Sequence, residues 1–141
     1  MKNCKKLFIH GLLAGLVMLI VGMIFGQLVN MMFPTLAVQY DNTNLFRAFD
    51  DPAMIWYFIY FFVLGVGIAW IWEMIKDKIK GKTACQKAKN IVSKYWPAVL
   101  LPGMMITYSS FPVSFGMILS WSIGSFVQLY AGFWFLAKKN K

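Results

Sequence analysis

From Leu7 to Phe33 the chain carries no acid, lysine or arginine, and that single run sets what it can fold into. Read as a helix at 1.5 Å per residue it is roughly 40 Å long, more than the ~30 Å hydrocarbon core of a bilayer. It is also far longer than the ~7–15 apolar residues of a secretory signal core, and no small-x-small site follows. The run is therefore expected to stay attached. Three further apolar stretches follow, at about 53–75, 91–110 and 113–137. A composition 60% hydrophobic, with mean hydropathy +0.62, is too apolar for a soluble domain. The reading is a single transmembrane domain, residues 1–141, built as an all-α bundle of four helices in two hairpins.

The charges agree with that division. Thirteen of the 14 cations fall in three clusters: Lys2, Lys5 and Lys6; the stretch Lys76–Lys94, with seven; and Lys138, Lys139 and Lys141. Loops rich in lysine stay on the cytoplasmic side of a bilayer. Both termini and the basic loop 76–90 are thus expected in the cytosol, and the loop 34–52 outside. That outer loop holds three of the five acids, Asp41, Asp50 and Asp51, against the remaining cation, Arg47. Net charge +9 without a recognition motif argues for topology and anionic lipid attraction, not nucleic acid. Cys4 and Cys85 both belong to the reducing side, in no CxxC and no metal-ligand spacing, and are expected as free thiols.

Local signals place the helix ends and faces. Gly11, Gly15, Gly22 and Gly26 are spaced by four, seven and four, which puts them on one face of the first span as a close-packing surface. Gly116, Ser120, Gly124 and Gln128 repeat every four residues in the last span, with the same implication. These faces would pair helices within the bundle or between protomers. Gln128 is the deepest strongly polar side chain and is expected against another helix. Asp51 before Pro52 is a helix-start signal, and Thr83 with Gln86 has capping-box spacing. Pro97 and Pro102 lie inside the third apolar stretch and predict a helix kinked there.

Most familiar chemistries lack their groups. The first span has no acid for proton-coupled export of the kind used by small multidrug exporters. The one histidine, His10, has no second histidine to share a haem, and nothing matches a phosphate-binding loop, a serine elbow or a zinc motif. No cofactor, metal or catalytic residue is expected. Two polar groupings remain. An outer one takes Gln27 and Asn30 from the first span, Arg47 and Asp50 from the loop, Tyr57 and Tyr60 from the second span, and Thr107, Tyr108, Ser109 and Ser110 from the last outer turn. If the third helix splays above Pro102, these would line a shallow mouth. An inner grouping joins His10, Glu73 and Lys94 near the cytoplasmic boundary, where such side chains more often snorkel and pair.

With FRAFDDP at residues 46–52 and PGMMITYSSFPVS at 102–114, the chain resembles small four-span prokaryotic integral membrane proteins to which no activity is assigned. The resemblance covers most of the chain and marks these two outer segments as features of the group. It carries over no activity or site residue. The expected function is non-enzymatic binding of a small amphiphile, lipid or protein partner through the outer mouth. An oligomeric transporter or channel subunit is the alternative, and a lipid-acting enzyme at the inner face a weaker one.

Overall fold

The computed structural model describes residues 2–139, with side chains from Cys4 onward. The Lys2 side chain and Lys141, both part of the terminal basic clusters, lie outside the described residues. The chain is all-α, with no strand among the described residues. In order, it forms α1 (Lys2–Met32), α2 (Pro34–Gln39), a 3-10 turn (Pro52–Met54), α3 (Ile55–Ile75), α4 (Ala84–Tyr95), a π turn (Trp96–Leu100), α5 (Leu101–Ser110) and α6 (Phe115–Lys139). Two helical segments are long and apolar enough to cross a membrane, Cys4–Met32 and Pro52–Ile75.

The other two apolar stretches depart from plain spanning rods for local reasons. The third is the tail of a continuous helical path that begins in the basic segment at Ala84. Pro97 lacks the amide that an α-helix needs, and the backbone widens there into the π turn, where the Leu101 amide donates to the Trp96 carbonyl five residues back. Pro102 sits in the first turn of α5, where a missing donor costs nothing. The expected interruption is thus a π turn around Pro97, and Pro102 marks a restart. The last stretch is a single helix, but Ser120, Ser122, Ser125 and Gln128 dilute it. The amino-terminal lysines also differ from expectation: they extend α1 instead of forming a tail, as lysine's good helix propensity permits.

Packing is set by bare backbone. A Cβ on Gly15 would stand 2.5 Å from the Phe61 carbonyl oxygen and 2.9 Å from the Phe62 Cα, and one on Gly11 would stand 2.7 Å from the Val66 Cα. From the other side, a Cβ on Gly65 would stand 2.5 Å from the Gly15 amide nitrogen. The first half of the α1 glycine face is therefore the α1–α3 contact, and its partner is a glycine. Further along α1, Gly22 is covered by the Gln128 amide of α6, and Met18 of α1 lies over Gly132. Gly26 faces open space. In α6, Gly124 receives Phe25 and Gly116 receives Leu36. Ser120 is half-buried, and the neighbouring Ser122 is the buried serine.

A core of Ala14, Met18, Phe61, Ile68, Trp72, Leu129, Phe133 and Leu136 fills the space between α1, α3 and α6. The amphipathic helix α4 adds Ala88, Ile91 and Val92, one face at three- and four-residue spacing. Trp96 ties the π turn down: its indole N–H is 3.0 Å from both the Ser122 carbonyl and the Ser125 hydroxyl of α6.

Replacing Gly65 by leucine should separate α1 from α3 and lower stability by about 1–3 kcal/mol, the usual scale of overpacking. Gly26→Leu, in open space, should leave it nearly unchanged. Thermal unfolding in a mild detergent followed by circular dichroism separates the two outcomes.

Candidate functional site

At the end bearing the 34–52 segment, the chain folds down onto α6. Pro34 opens α2, a short helix in what the sequence suggests is plain loop. The Trp121 indole N–H donates to the Tyr40 hydroxyl at 2.6 Å. Phe46 packs beside both, tilted against Tyr40 with ring centroids 5.3 Å apart and edge-on to Trp121 at 6.3 Å. Leu36, Leu45, Phe46 and Met104 close over Val113, Met117 and Ile118. The segment is thus a lid with its own small core.

Six of the ten residues proposed for an outer mouth are engaged locally. Arg47 pairs with Asp51 at 2.9 Å. The other Asp51 oxygen accepts from the Ala53 amide at 2.8 Å, the expected start of the helix at Pro52. Thr107 donates to the Gly103 carbonyl at 2.9 Å, and Ser109 to that of Ile106 at 2.8 Å, both within α5. Tyr108 meets the edge of Phe115, while Tyr57 and Tyr60 both pack edge-on against Phe61. Gln27, Asn30, Asp50 and Ser110 are exposed. None of the ten lines either cavity described below.

Both cavities lie toward the lysine-rich end. The larger, about 510 Å³, is an open cleft between α3 and the path from α4 into the π turn. It exists because the two walls lean on different helices: α3 packs mainly on α1, and α4 on α6. Ile71 and Ile75 of α3 form one wall, and Ile91, Tyr95 and Val99 the other. Ile79 closes the end, and Lys78, Lys80, Lys94 and Asn90 stand at the rim.

The rim is built by specific bonds. Thr83 caps α4 by accepting from the Gln86 amide at 3.2 Å, and the Gln86 side-chain oxygen accepts from the Thr83 and Lys82 amides at 3.3 and 2.8 Å. The capping box is present as expected. Gly81, at φ +148°, makes the turn that precedes it. The Asn90 amide then donates to the Lys80 carbonyl at 3.0 Å and fastens the loop to α4. The described ion pairs, Arg47–Asp51 and Glu73–Lys76, leave Lys78, Lys80 and Lys94 without an acidic partner among the described residues.

The smaller cavity, about 140 Å³, is lined by Lys6, Leu7, His10, Ala69, Glu73, Lys76 and Leu136. His10 and Glu73 therefore share a site, with Glu73 bound to Lys76 at 2.7 Å. Lys94 does not join them. Successive helical residues turn by about 100°, so Glu73 points away from the face that carries Ile71 and Ile75. The inner grouping is two sites on opposite faces of α3. Among the described residues no group of three or more His, Cys, Asp or Glu is placed to hold a metal ion.

In the sequence the central lysines read as a topology signal, and the cleft that Lys78, Lys80 and Lys94 border is not evident there. The spacing of Ile71, Ile75 and Ile79, every four residues up to Lys78 and Lys80, was the available signal. Comparison with protein families, with characterised proteins and with solved structures gave no match to this chain.

The Ala53 amide bond, then the Arg47 guanidinium, hold the Asp51 carboxyl below its ordinary value of 3.8. Because the folded value is depressed, this contribution is fully present above the unfolded pKa and is lost as pH falls through the folded one. The Asp51 titration, followed by carboxyl-carbon NMR, should move up both in Arg47→Ala and in Ala53→Pro, each of which removes a group that holds the carboxyl down.

Proposed function

We propose that this chain is an integral membrane protein that binds a bilayer amphiphile, without catalysing a reaction on it, in the cleft between α3 and α4. Four passes bring both termini and the 76–90 loop to the cytosol, and the cleft then opens at the inner leaflet. Large apolar side chains lie exposed on every long helical stretch, among them Leu16 and Ile20 of α1, Val63 and Trp70 of α3, Met105 and Ile106 of α5, and Leu119 and Ile123 of α6. A soluble monomer rarely leaves so wide an apolar surface uncovered. The clustering of cations at one end of such a bundle supports the orientation.

The observation that carries the binding role is the cleft itself. Its volume, about 510 Å³, falls in the range of roughly 300–1,000 Å³ occupied by small-molecule sites. Its walls are aliphatic and its rim is cationic, so both parts of an amphiphile have a complement. Support for an outer mouth is less, because none of its residues lines either cavity and Arg47, Thr107 and Ser109 are bonded within their own segments. Gly11, Gly15 and Gly22 are occupied inside one chain, which removes much of the motive for an oligomeric channel.

A membrane-impermeant thiol reagent applied to intact cells should leave the exposed Cys85 unlabelled and should label a Phe49→Cys variant in a Cys4→Ser, Cys85→Ser background. The reverse pattern overturns the orientation. Protein purified in mild detergent should retain lipid visible by native mass spectrometry, and Ile75→Trp, which fills the cleft, should reduce that retention severalfold. Equal retention by both proteins removes the cleft as the binding place.

A further inference from the structure

Resting on the amphiphile-binding reading above, we infer that the cleft selects an acidic phospholipid, with the headgroup phosphate on Lys78, Lys80 and Lys94 and one acyl chain along Ile75 and Val99. The first support is charge. Three ammonium groups border one cleft, with no acid in its lining and no acidic partner for any of them among the described residues. Both acids nearest in sequence are elsewhere: Glu73 is bound to Lys76 on the other face of α3, and Asp77 does not line the cleft. A zwitterionic headgroup brings its own cation with its phosphate and so compensates the repulsion between these like charges less. An anion relieves that repulsion, so the preference comes from the unliganded protein as well as from the complex.

The second support is that the cations are carried on ordered backbone. Lys80 lies in the segment that Asn90 fastens through a 3.0 Å bond to the Lys80 carbonyl, and Lys94 projects from the capped helix α4. Two of the three therefore come to the headgroup from fixed positions, which reduces the ordering cost of binding. The third is geometry. The aliphatic walls run from this rim toward the π turn, so a chain attached to the headgroup would enter the apolar part of the cleft and stay in the hydrocarbon layer. A soluble phosphate ester would satisfy only the rim. Basic pockets between helices on the cytoplasmic side are a known chemistry for anionic headgroups.

The test uses the full chain, delipidated and then offered an equal mixture of phosphatidylglycerol and phosphatidylcholine with the same acyl chains, with adducts counted by native mass spectrometry. Wild type should favour phosphatidylglycerol by roughly a hundredfold at most, the factor that three lysines at about 1 kcal/mol each amount to, and by at least severalfold. Lys78→Gln, Lys80→Gln and Lys94→Gln combined should abolish the preference while phosphatidylcholine adducts persist. The matched control, Lys82→Gln, Lys87→Gln and Lys89→Gln, loses the same charge outside the cleft lining and should keep it. If the first combination does not fold, Lys94→Gln alone should reduce the preference severalfold, and an unchanged preference counts against the inference. Equal loss in the control overturns it in favour of the general charge of the basic segment. Equal binding of the two lipids by wild type overturns the headgroup selection alone. Retention of neither lipid overturns the amphiphile reading as well.

Discussion

The architecture depends on one place where two helices touch backbone to backbone. Gly11 and Gly15 on α1 meet Gly65 on α3, and none of the three has room for a methyl group. In the bilayer proposed above there is little hydrophobic gain from bringing two apolar helices together, so close van der Waals packing would supply the association. That approach draws α3 toward α1 and leaves the opposite face of α3, with Ile71 and Ile75, turned to the cleft. The same choice places Glu73 toward His10 and Lys76 in the small cavity. Two sites of different chemistry thus follow from the rotation of a single helix about its axis.

What the sequence discloses here is mostly what a helix decides for itself. The cap at Asp51, the box of Thr83 and Gln86 and the break at Pro97 are all encoded within a few residues, and each is found, while the glycine face of α1 is met at Gly11, Gly15 and Gly22 but not at Gly26. What lies between helices was less legible. Gly65 gives no hint of its role until α1 is beside it, and Gly22 and Gly26, equivalent by spacing, differ because only Gly22 lies under Gln128. Lys94 and Glu73 sit near each other in depth but not in azimuth, a coordinate that spacing along one helix leaves open. The lid over α6 joins Tyr40 to Trp121, 81 residues apart, by a single hydrogen bond. No local pattern announces such a pair.

The two ends of the bundle handle polar groups differently. At the lid end, Asp51 and Arg47 close on one another, Thr107 and Ser109 on their own backbone, and the Tyr40 hydroxyl on Trp121. At the basic end, the polar bonds of Asn90, Thr83 and Gln86 are spent on holding the loop and leave its ammonium groups unneutralised. A buried polar group must find a partner within the protein, whereas a charge at a rim can wait for one from outside.

The π turn also governs how the third helical path tolerates change in length. A π turn holds more residues than an α turn over the same advance, so losing one residue between Trp96 and Leu100 would let an ordinary helix run straight through. Everything after it would keep its phase, because the turn already takes up the extra residue, and Met104 would stay on the Val113–Met117–Ile118 cluster with α4 in place. Hairpin loops absorb an insertion or deletion by changing shape. This turn does the same inside a continuous helical path, taking up one residue without turning the face that follows.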